Sequence, residues 1–224
     1  MNRVLITAGG SGIGHAMATA FAAAGYRVWV TDVDHAALTA CPSDWTTTQV
    51  SANDENGMVF LIPKMSTEWG GIDVVCANAG TAGPTARVED VALSDWQTCV
   101  SVNLEGAFLA AKFAAPIMKS AKSGSIVITS STAGQHGYPN RAPYAAAKWA
   151  VIGLMKTLAM ELGPDGIRAN AICPGAVEGP RMEGVLEREA IAKNMTRDEV
   201  YAGYASGTSM GSFVSASDVA NMAV

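Results

Sequence analysis

Short runs of β-branched and other apolar residues alternate along this chain with longer stretches in which Ala, Leu and Met recur at helical spacing. The runs fall at residues 3–7, 27–31, 46–50, 72–77, 125–129 and 168–173, and the longer stretches at 12–24, 54–69, 94–121 and 144–162. Strand-sized apolar runs separated by helix-sized ones mark a parallel sheet whose two faces are covered by crossover helices. Because such crossovers are right-handed, the order predicts an α/β fold. The sheet is a Rossmann-type doubly wound parallel one, in three α/β/α layers, and residues 1–224 make a single dinucleotide-binding and catalytic domain. Pro63 falls inside the stretch at 54–69 and should kink or shorten that helix.

Residues 178–212 break the alternation. They are polar and punctuated by glycine, with Met182, Met195 and Met210 interspersed and one helix-like piece at 183–193. An excursion after the last identified strand is where such a sheet carries a substrate-covering lid. Composition narrows the class further. At 49% apolar and 16% charged residues, the chain suits one domain with a sizeable core. A net charge of −5 argues against a nucleic-acid partner. No apolar stretch approaches the roughly 20 residues that span a bilayer. The first residues, Met1 to Ile6, run straight into a strand with no signal peptide, so a cytoplasmic location is expected. Cys41, Cys76, Cys99 and Cys173 stand far apart without metal-ligand spacing, which predicts reduced thiols and no metal site.

Chemistry-bearing residues gather where strands end. The first strand leads into Thr7-Ala8-Gly9-Gly10-Ser11-Gly12-Ile13-Gly14 and then a helix. Glycines in that position let main-chain N–H groups approach a pyrophosphate, whose charge the helix N-terminus favours. The second strand ends at Asp32, 18 residues past Gly14. A carboxylate there accepts hydrogen bonds from ribose hydroxyls and repels a 2′-phosphate, which selects NAD over NADP. The competing role for Asp32 is to cap the next helix, since Asp34 and His35 follow. Farther on, Tyr144 and Lys148 stand four residues apart and so share one helix face, and Ser131 follows the strand at 125–129.

Together these motifs resemble the short-chain dehydrogenase/reductase family. The likeness is carried by the turn 7–14, Cys76-Ala77-Asn78-Ala79-Gly80, Asn103, Ser131, Tyr144-x-x-x-Lys148 and Pro174-Gly175, in order and spacing over nearly the whole chain. The resemblance implies an NAD(H)-dependent oxidoreductase acting on a carbonyl/alcohol pair. It makes Tyr144 the general acid/base and has Ser131 position the substrate oxygen. Lys148 then binds the nicotinamide ribose and lowers the tyrosine pKa, and Asn103 holds a proton-relay water beside the lysine. On the cofactor side it implies Gly9, Ser11, Gly12, Ile13, Gly14, Asp32, Asn78, Ala79 and Gly80, with Asn103, Tyr144, Lys148, Pro174, Gly175 and the main chain of Val177. The role of Asn78 in the family is partly to brace the sheet. Physical logic supports the Tyr–Lys pair on its own. Free tyrosine titrates near about 10. A cation about 4 Å away, at an effective dielectric of about 20, favours phenolate by roughly 4 kcal/mol, or about three pKa units.

The chain also departs from the family pattern. Ala8 stands at the usual first glycine of the turn, tolerable if its φ is negative, with Gly9 and Gly10 able to loosen the turn. Ala77 replaces an Asn, Ser51 a common aspartate at the adenine, and Gly179 a common Thr at the carboxamide. The chain ends in a helix-like segment at 218–224, where the family usually adds one more strand, so an open sheet edge is expected.

For substrate, the candidates are Ser131, Gln135, Tyr144 and Arg181, with His136, Tyr138, Asn140, Arg141 and Met182 nearby. Arg141 and Arg181 are each expected to be solvated surface charges unless they meet a carboxylate or phosphate. The polar loop favours a sugar, polyol or small hydroxy acid. The helices at 94–121 and 144–162 carry more apolar residues than a sheet face needs, and in the family they pack between subunits, which implies a homodimer or homotetramer. Two alternatives remain: an NADPH-dependent ketone or 3-oxoacyl reductase, and a catalytically silent nucleotide-binding regulator.

Overall fold

The computed structural model describes residues 1–224. Six strands form one sheet: β1 (Arg3–Thr7), β2 (Arg27–Asp32), β3 (Thr46–Gln49), β4 (Val74–Ala77), β5 (Gly124–Thr129) and β6 (Ile167–Ile172). Their order is β3-β2-β1-β4-β5-β6 and every neighbouring pair is parallel. The crossovers carry α1 (Gly12–Ala23), α2 (His35–Thr39), α3 (Glu55–Trp69), α4 (Leu93–Val100), α5 (Gly106–Ala121) and α6 (Ala142–Leu162). After β6 come α7 (Pro180–Lys193), α8 (Arg197–Ser206) and α9 (Ala216–Asn221). The strand order reverses between β1 and β4, the place where an open α/β sheet leaves a crevice for ligands. No helix is long and apolar enough to cross a membrane.

β1 shows how one pentapeptide serves two cores. Val4 and Ile6 pack with Met17, Phe21, Val28 and Val219 beneath α1 and α9. Leu5 points the other way, onto Trp29, Met58, Ile62 and Ile126 beneath α3, α5 and α6. Side chains alternate with period two along a strand. Because both faces are covered, the strand still reads as an unbroken apolar run. Full burial of each such Leu or Ile contributes about 1.5–3 kcal/mol, enough to fix the register of the central strands.

Three expectations need correction. The stretch at 94–121 is not one helix: α4 and α5 are joined by a π-helical turn over Ser101–Glu105, with the Gly106 N–H reaching back five residues to the Ser101 carbonyl. Such wide turns are frequent at functional sites, and this one carries Asn103 into the interior. Pro63 does not shorten α3, which runs on to Trp69. The carbonyl that loses its partner belongs to Val59, an exposed position where water can replace the missing N–H. The excursion after β6 holds two helices rather than one piece. Pro180, with its preset φ, starts α7 three residues before the expected point. A capping box between Thr196 and Glu199 starts α8. Ala176, Leu186, Val200, Ala205 and Phe213 give this excursion, the segment expected to act as a lid, a small core of its own. Its base is closed where Val177 bridges Val214.

Candidate active site

The turn between β1 and α1 is shaped by close approach. A β-carbon on Gly14 would lie 2.1 Å from the Ala8 carbonyl oxygen and 2.6 Å from Asn78 Nδ2, so only glycine fits there. Gly9 and Gly10 are also closely packed, at 2.7 Å from Val30 and 2.9 Å from Ala37 for an added β-carbon, so they do not loosen the turn. Ala8 adopts φ 51°, in the left-handed region, and not the negative φ that would have made alanine harmless. Thr7 Oγ1 accepts the N–H groups of Asn78 and Ala79 at 3.0 Å each. Asn78 Nδ2 donates to the Thr7 and Ala8 carbonyls at 3.2 Å each, and its Oδ1 accepts from Thr129 at 3.1 Å. Asn78 thus ties the ends of β1, β4 and β5 together.

Asp32 is not the cap of α2. Asp34 fills that role, its side chain accepting from Ala36 and Ala37. Asp32 accepts from the Gly10 N–H at 3.0 Å and the Asp34 N–H at 3.1 Å, which fixes an anion at the edge of the cleft. Ser51 lies in the same wall, with its hydroxyl turned to Asn53.

At the other end, β5 and α6 are locked into contact. A β-carbon on Gly134 would lie 2.5 Å from the Lys148 carbonyl, and Ser130 Oγ donates to that same carbonyl at 2.9 Å. This close packing brings Ser131, Tyr144 and Lys148 together in the lining of one cavity. Ser131 Oγ accepts from the Ala133 N–H at 3.1 Å, leaving its own proton to donate. Lys148 is 2% exposed, its ammonium donating to the Thr129 carbonyl at 2.8 Å and sitting 5.7 Å from the centre of the Tyr144 ring. Burial, and secondarily the charge of Arg181, pushes the Lys148 pKa down to about 7. The cation assumed beside Tyr144 is therefore only partly charged at neutral pH. Asn103 Nδ2 donates to the carbonyls of Thr81 at 3.0 Å and Cys99 at 2.8 Å, while its buried Oδ1 has no partner in the protein. That oxygen lies next to Gly80, close to Lys148 Nζ.

One cavity of about 530 Å³ joins both ends. Ser11, Gly12, Ile13, Asp32, Asn78, Ala79 and Gly80 line it towards β2, and Ser131, Tyr144, Lys148, Pro174, Gly175 and Val177 line it towards the lid. The strand-like bridge at Val214 uses Ala176 and Glu178, so the N–H and C=O of Val177 itself remain directed elsewhere. Gly179, with φ 134°, turns the chain into α7 in a conformation that a threonine would not adopt. Arg181, Met182 and Tyr138 also line the cavity, while Gln135, His136 and Asn140 do not. Arg141 is not a surface charge: it is 4% exposed, its guanidinium lying over the Tyr144 ring at 4.7 Å and 3.8 Å from Glu189. Glu189, on α7, escaped the sequence reading. A signal existed, because Val185 and Leu186 precede it at i−4 and i−3 and place it on a buried face.

Does a dinucleotide suit these residues? The cavity-lining turn at Ser11, Gly12 and Ile13, the first-turn N–H groups of α1 and the unpartnered Asn103 Oδ1 all suit one. A parallel sheet with this cleft at its switch point, and a Ser, Tyr and Lys on one wall, defines a nicotinamide-linked oxidoreductase. Comparison with known proteins narrows the class. The short chain dehydrogenase profile matches residues 2–190. A levodione reductase from Leifsonia aquatica is 36% identical over 194 residues, 83% of this chain and 73% of the relative. A trans-4-hydroxycyclohexanecarboxylate dehydrogenase from Sinomonas cyclohexanicum is 48% identical over 119 residues, 52% of this chain and 44% of the relative. The crystal structure of an NAD+-bound xylitol dehydrogenase superposes with a TM-score of 0.95 at 26% identity, covering 99% of this chain and 90% of the other. The chain belongs to the short-chain dehydrogenase family. It is an oxidoreductase of alcohol and ketone groups.

Proposed function

We propose that the chain uses NAD(H) to oxidise a secondary alcohol on a small polar substrate such as a sugar, polyol or hydroxy acid, with Tyr144 as general acid/base. The observation that carries this reading is the single cavity with Asp32 at one end and Ser131, Tyr144 and Lys148 at the other. A bound nicotinamide supplies the hydride acceptor or donor. Tyr144 takes or returns the substrate hydroxyl proton at its phenol oxygen, and Ser131 donates to the substrate oxygen. Lys148, anchored on Thr129, reaches the ribose side of the cleft and biases the phenol towards its anion. Asn103 Oδ1 accepts from a water that passes the proton onward.

NAD is favoured because Asp32, already fixed by two N–H groups, leaves no room for a 2′-phosphate charge. The xylitol dehydrogenase, the aldohexose dehydrogenase from Thermoplasma acidophilum and the hydroxycyclohexanecarboxylate relatives bring polyols, sugars and cyclic hydroxy acids to the substrate panel. The second reading is an NADPH-dependent reductase, favoured by the 3-oxoacyl-[acyl-carrier-protein] reductase of Thermotoga maritima, 34% identical over 191 residues. Assembly follows the same logic: Leu93, Phe108, Trp149 and Met160 stand exposed on α4, α5 and α6, with Trp149 at 52% and Met160 at 81%, and we place a homodimer or homotetramer contact there.

The test has two arms. The protein is titrated with NADH and with NADPH by quenching of its tryptophans, and turnover is then screened over the substrate panel. Tighter NADH binding is expected, with turnover of the protein and a roughly thousandfold loss in Tyr144→Phe at unchanged NADH affinity. Tighter NADPH binding moves the assignment to the reductase, and substantial turnover by Tyr144→Phe removes the tyrosine from the chemistry.

A further inference from the structure

Between the N-terminus of α6 and the lid lies a buried charged cluster that none of the roles above uses. Arg141, immediately before α6, places its guanidinium over the Tyr144 ring at 4.7 Å and donates from Nη2 to the Ala82 carbonyl at 3.0 Å. Glu189 on α7 is 1% exposed and stands 3.8 Å from Arg141, an ion pair without a direct hydrogen bond. Its other contacts are within the lid: it accepts from Lys193 Nζ at 2.5 Å and from the Tyr204 hydroxyl on α8 at 2.6 Å. Tyr138, in the loop before α6, stacks on Tyr204 at 6.2 Å between ring centres.

Charge bookkeeping inside the cluster decides its effect. Arg141 and Lys193 both pair with Glu189, so two cations face one carboxylate and the cluster keeps a net positive charge beside Tyr144. A guanidinium stays charged across the working pH range, whereas Lys148 is partly neutral there. The other titratable or charged groups gathered around this ring and its two cations are Cys99 from α4, Cys173 after β6, Arg181 from α7, Tyr138 and Tyr204. Burial and the neighbouring Glu189 push the Tyr204 hydroxyl pKa up, so it remains a donor. Removing a cation from the face of an aromatic ring in a desolvated site costs up to about 2 kcal/mol, which is roughly thirtyfold.

We propose that Arg141 is a positioning residue: seated on the Tyr144 ring and clamped by Glu189 from lid helix α7, it holds the phenol in its working orientation and couples that orientation to the seating of the lid. This rests on Tyr144 being the acid/base. The clamp joins the catalytic helix to both lid helices through one carboxylate, so substrate that seats the lid also seats Tyr144.

The experiment compares Arg141→Met, Arg141→Lys and Glu189→Gln with the unmodified chain, using an alcohol it turns over and hydrogen exchange over residues 180–206. For Arg141→Met, kcat should fall roughly tenfold and the pH profile of turnover should move to higher pH, with NADH affinity kept within about twofold. Arg141→Lys should restore part of kcat and most of the pH profile. Glu189→Gln keeps the Tyr204 bond but not the charge, and should speed exchange in the lid and raise KM more than it lowers kcat. The proposal is overturned if Arg141→Met leaves kcat and the pH profile unchanged, or if Glu189→Gln leaves lid exchange unchanged. Should Arg141→Met fail to fold, the lysine and glutamine variants carry the test alone. Failure of the underlying reading is separate: it shows as turnover by Tyr144→Phe, whatever Arg141 does.

Discussion

At the β2 end of the cavity, glycine close packing and hydrogen bonds between main-chain groups and the Thr7, Asn78 and Asp32 side chains set the shape. Gly9, Gly10 and Gly14 let strand, turn and helix approach to distances no side chain tolerates, and Asp32 is held by two N–H groups. At the lid end the contacts are made by buried ionisable side chains, Lys148, Arg141 and Glu189, and Arg141 Nε and the Asn103 Oδ1 near Lys148 have no partner in the protein. Backbone close packing is rigid and all-or-none, which suits a fixed anchor for a common cofactor. Buried charge responds to pH and to what binds, which suits the end where a proton moves. Damage at the first end should therefore appear as lost binding and stability, and damage at the second as altered rate and pH dependence.

Gly14→Ala should do the most damage to folding and binding at neutral pH. Its β-carbon would lie 2.1 Å from a carbonyl oxygen, so the turn must open, at about 3 kcal/mol. NADH binding should be lost with it. Gly12→Ala is the control: nothing lies within 4 Å of the added carbon, and only its φ of +53° is strained, a cost of about 1 kcal/mol. Thermal melts and NADH titration of the pair separate the two causes. Equal losses would mean that close approach is not what shapes this turn.

Lys148→Met probes the other end. In the folded protein Lys148 titrates at about 7, against 10.5 when free. Between those values the unfolded chain binds the extra proton, so stability rises with pH across that window, and the full burial penalty applies below it. Methionine removes this dependence. The variant should gain stability relative to the unmodified protein at about pH 6, and that gain should shrink by roughly 4 kcal/mol towards about pH 10. Urea melts at the two pH values measure it. A gain that does not change with pH would show that Lys148 is not desolvated, and the contrast between the two ends would lose its main support.

The apolar runs predicted all six strands: in β1, β2, β4 and β5 burial on both faces writes itself into consecutive positions, whereas in β3 and the first half of β6, at the sheet edges, more and less covered positions alternate. The Ser131, Tyr144 and Lys148 group was legible from spacing, since one strand end and one helix turn bring those residues together. The π-turn at Ser101–Glu105 was not, because one extra residue in a helical ring leaves the apolar period almost unchanged. Arg141 was misread for a different reason. Its burial depends on Glu189, 48 positions farther along, and no local pattern around an arginine announces a distant carboxylate. The place of Gln135 was misjudged because nearness in sequence to Ser131 stood in for nearness in space. The loop carries it outside the cavity wall.

Ala8 offers the smallest and sharpest probe. Its φ of 51° puts an alanine where glycine is the unstrained choice, a strain of roughly 1–2 kcal/mol. Part of the relief from Ala8→Gly is lost again to the greater freedom of glycine in the unfolded chain, leaving a net gain of about 0.5–1 kcal/mol. The carbonyl of Ala8 accepts from Asn78 and limits Gly14, so the substitution relaxes the anchor without moving Tyr144 or Lys148. The expected outcome is a higher melting temperature with kcat and its pH profile unchanged. A change in the pH profile would mean that strain in the turn reaches Lys148 through Asn78 and Thr129, a side-chain hydrogen-bonded path that joins the two ends.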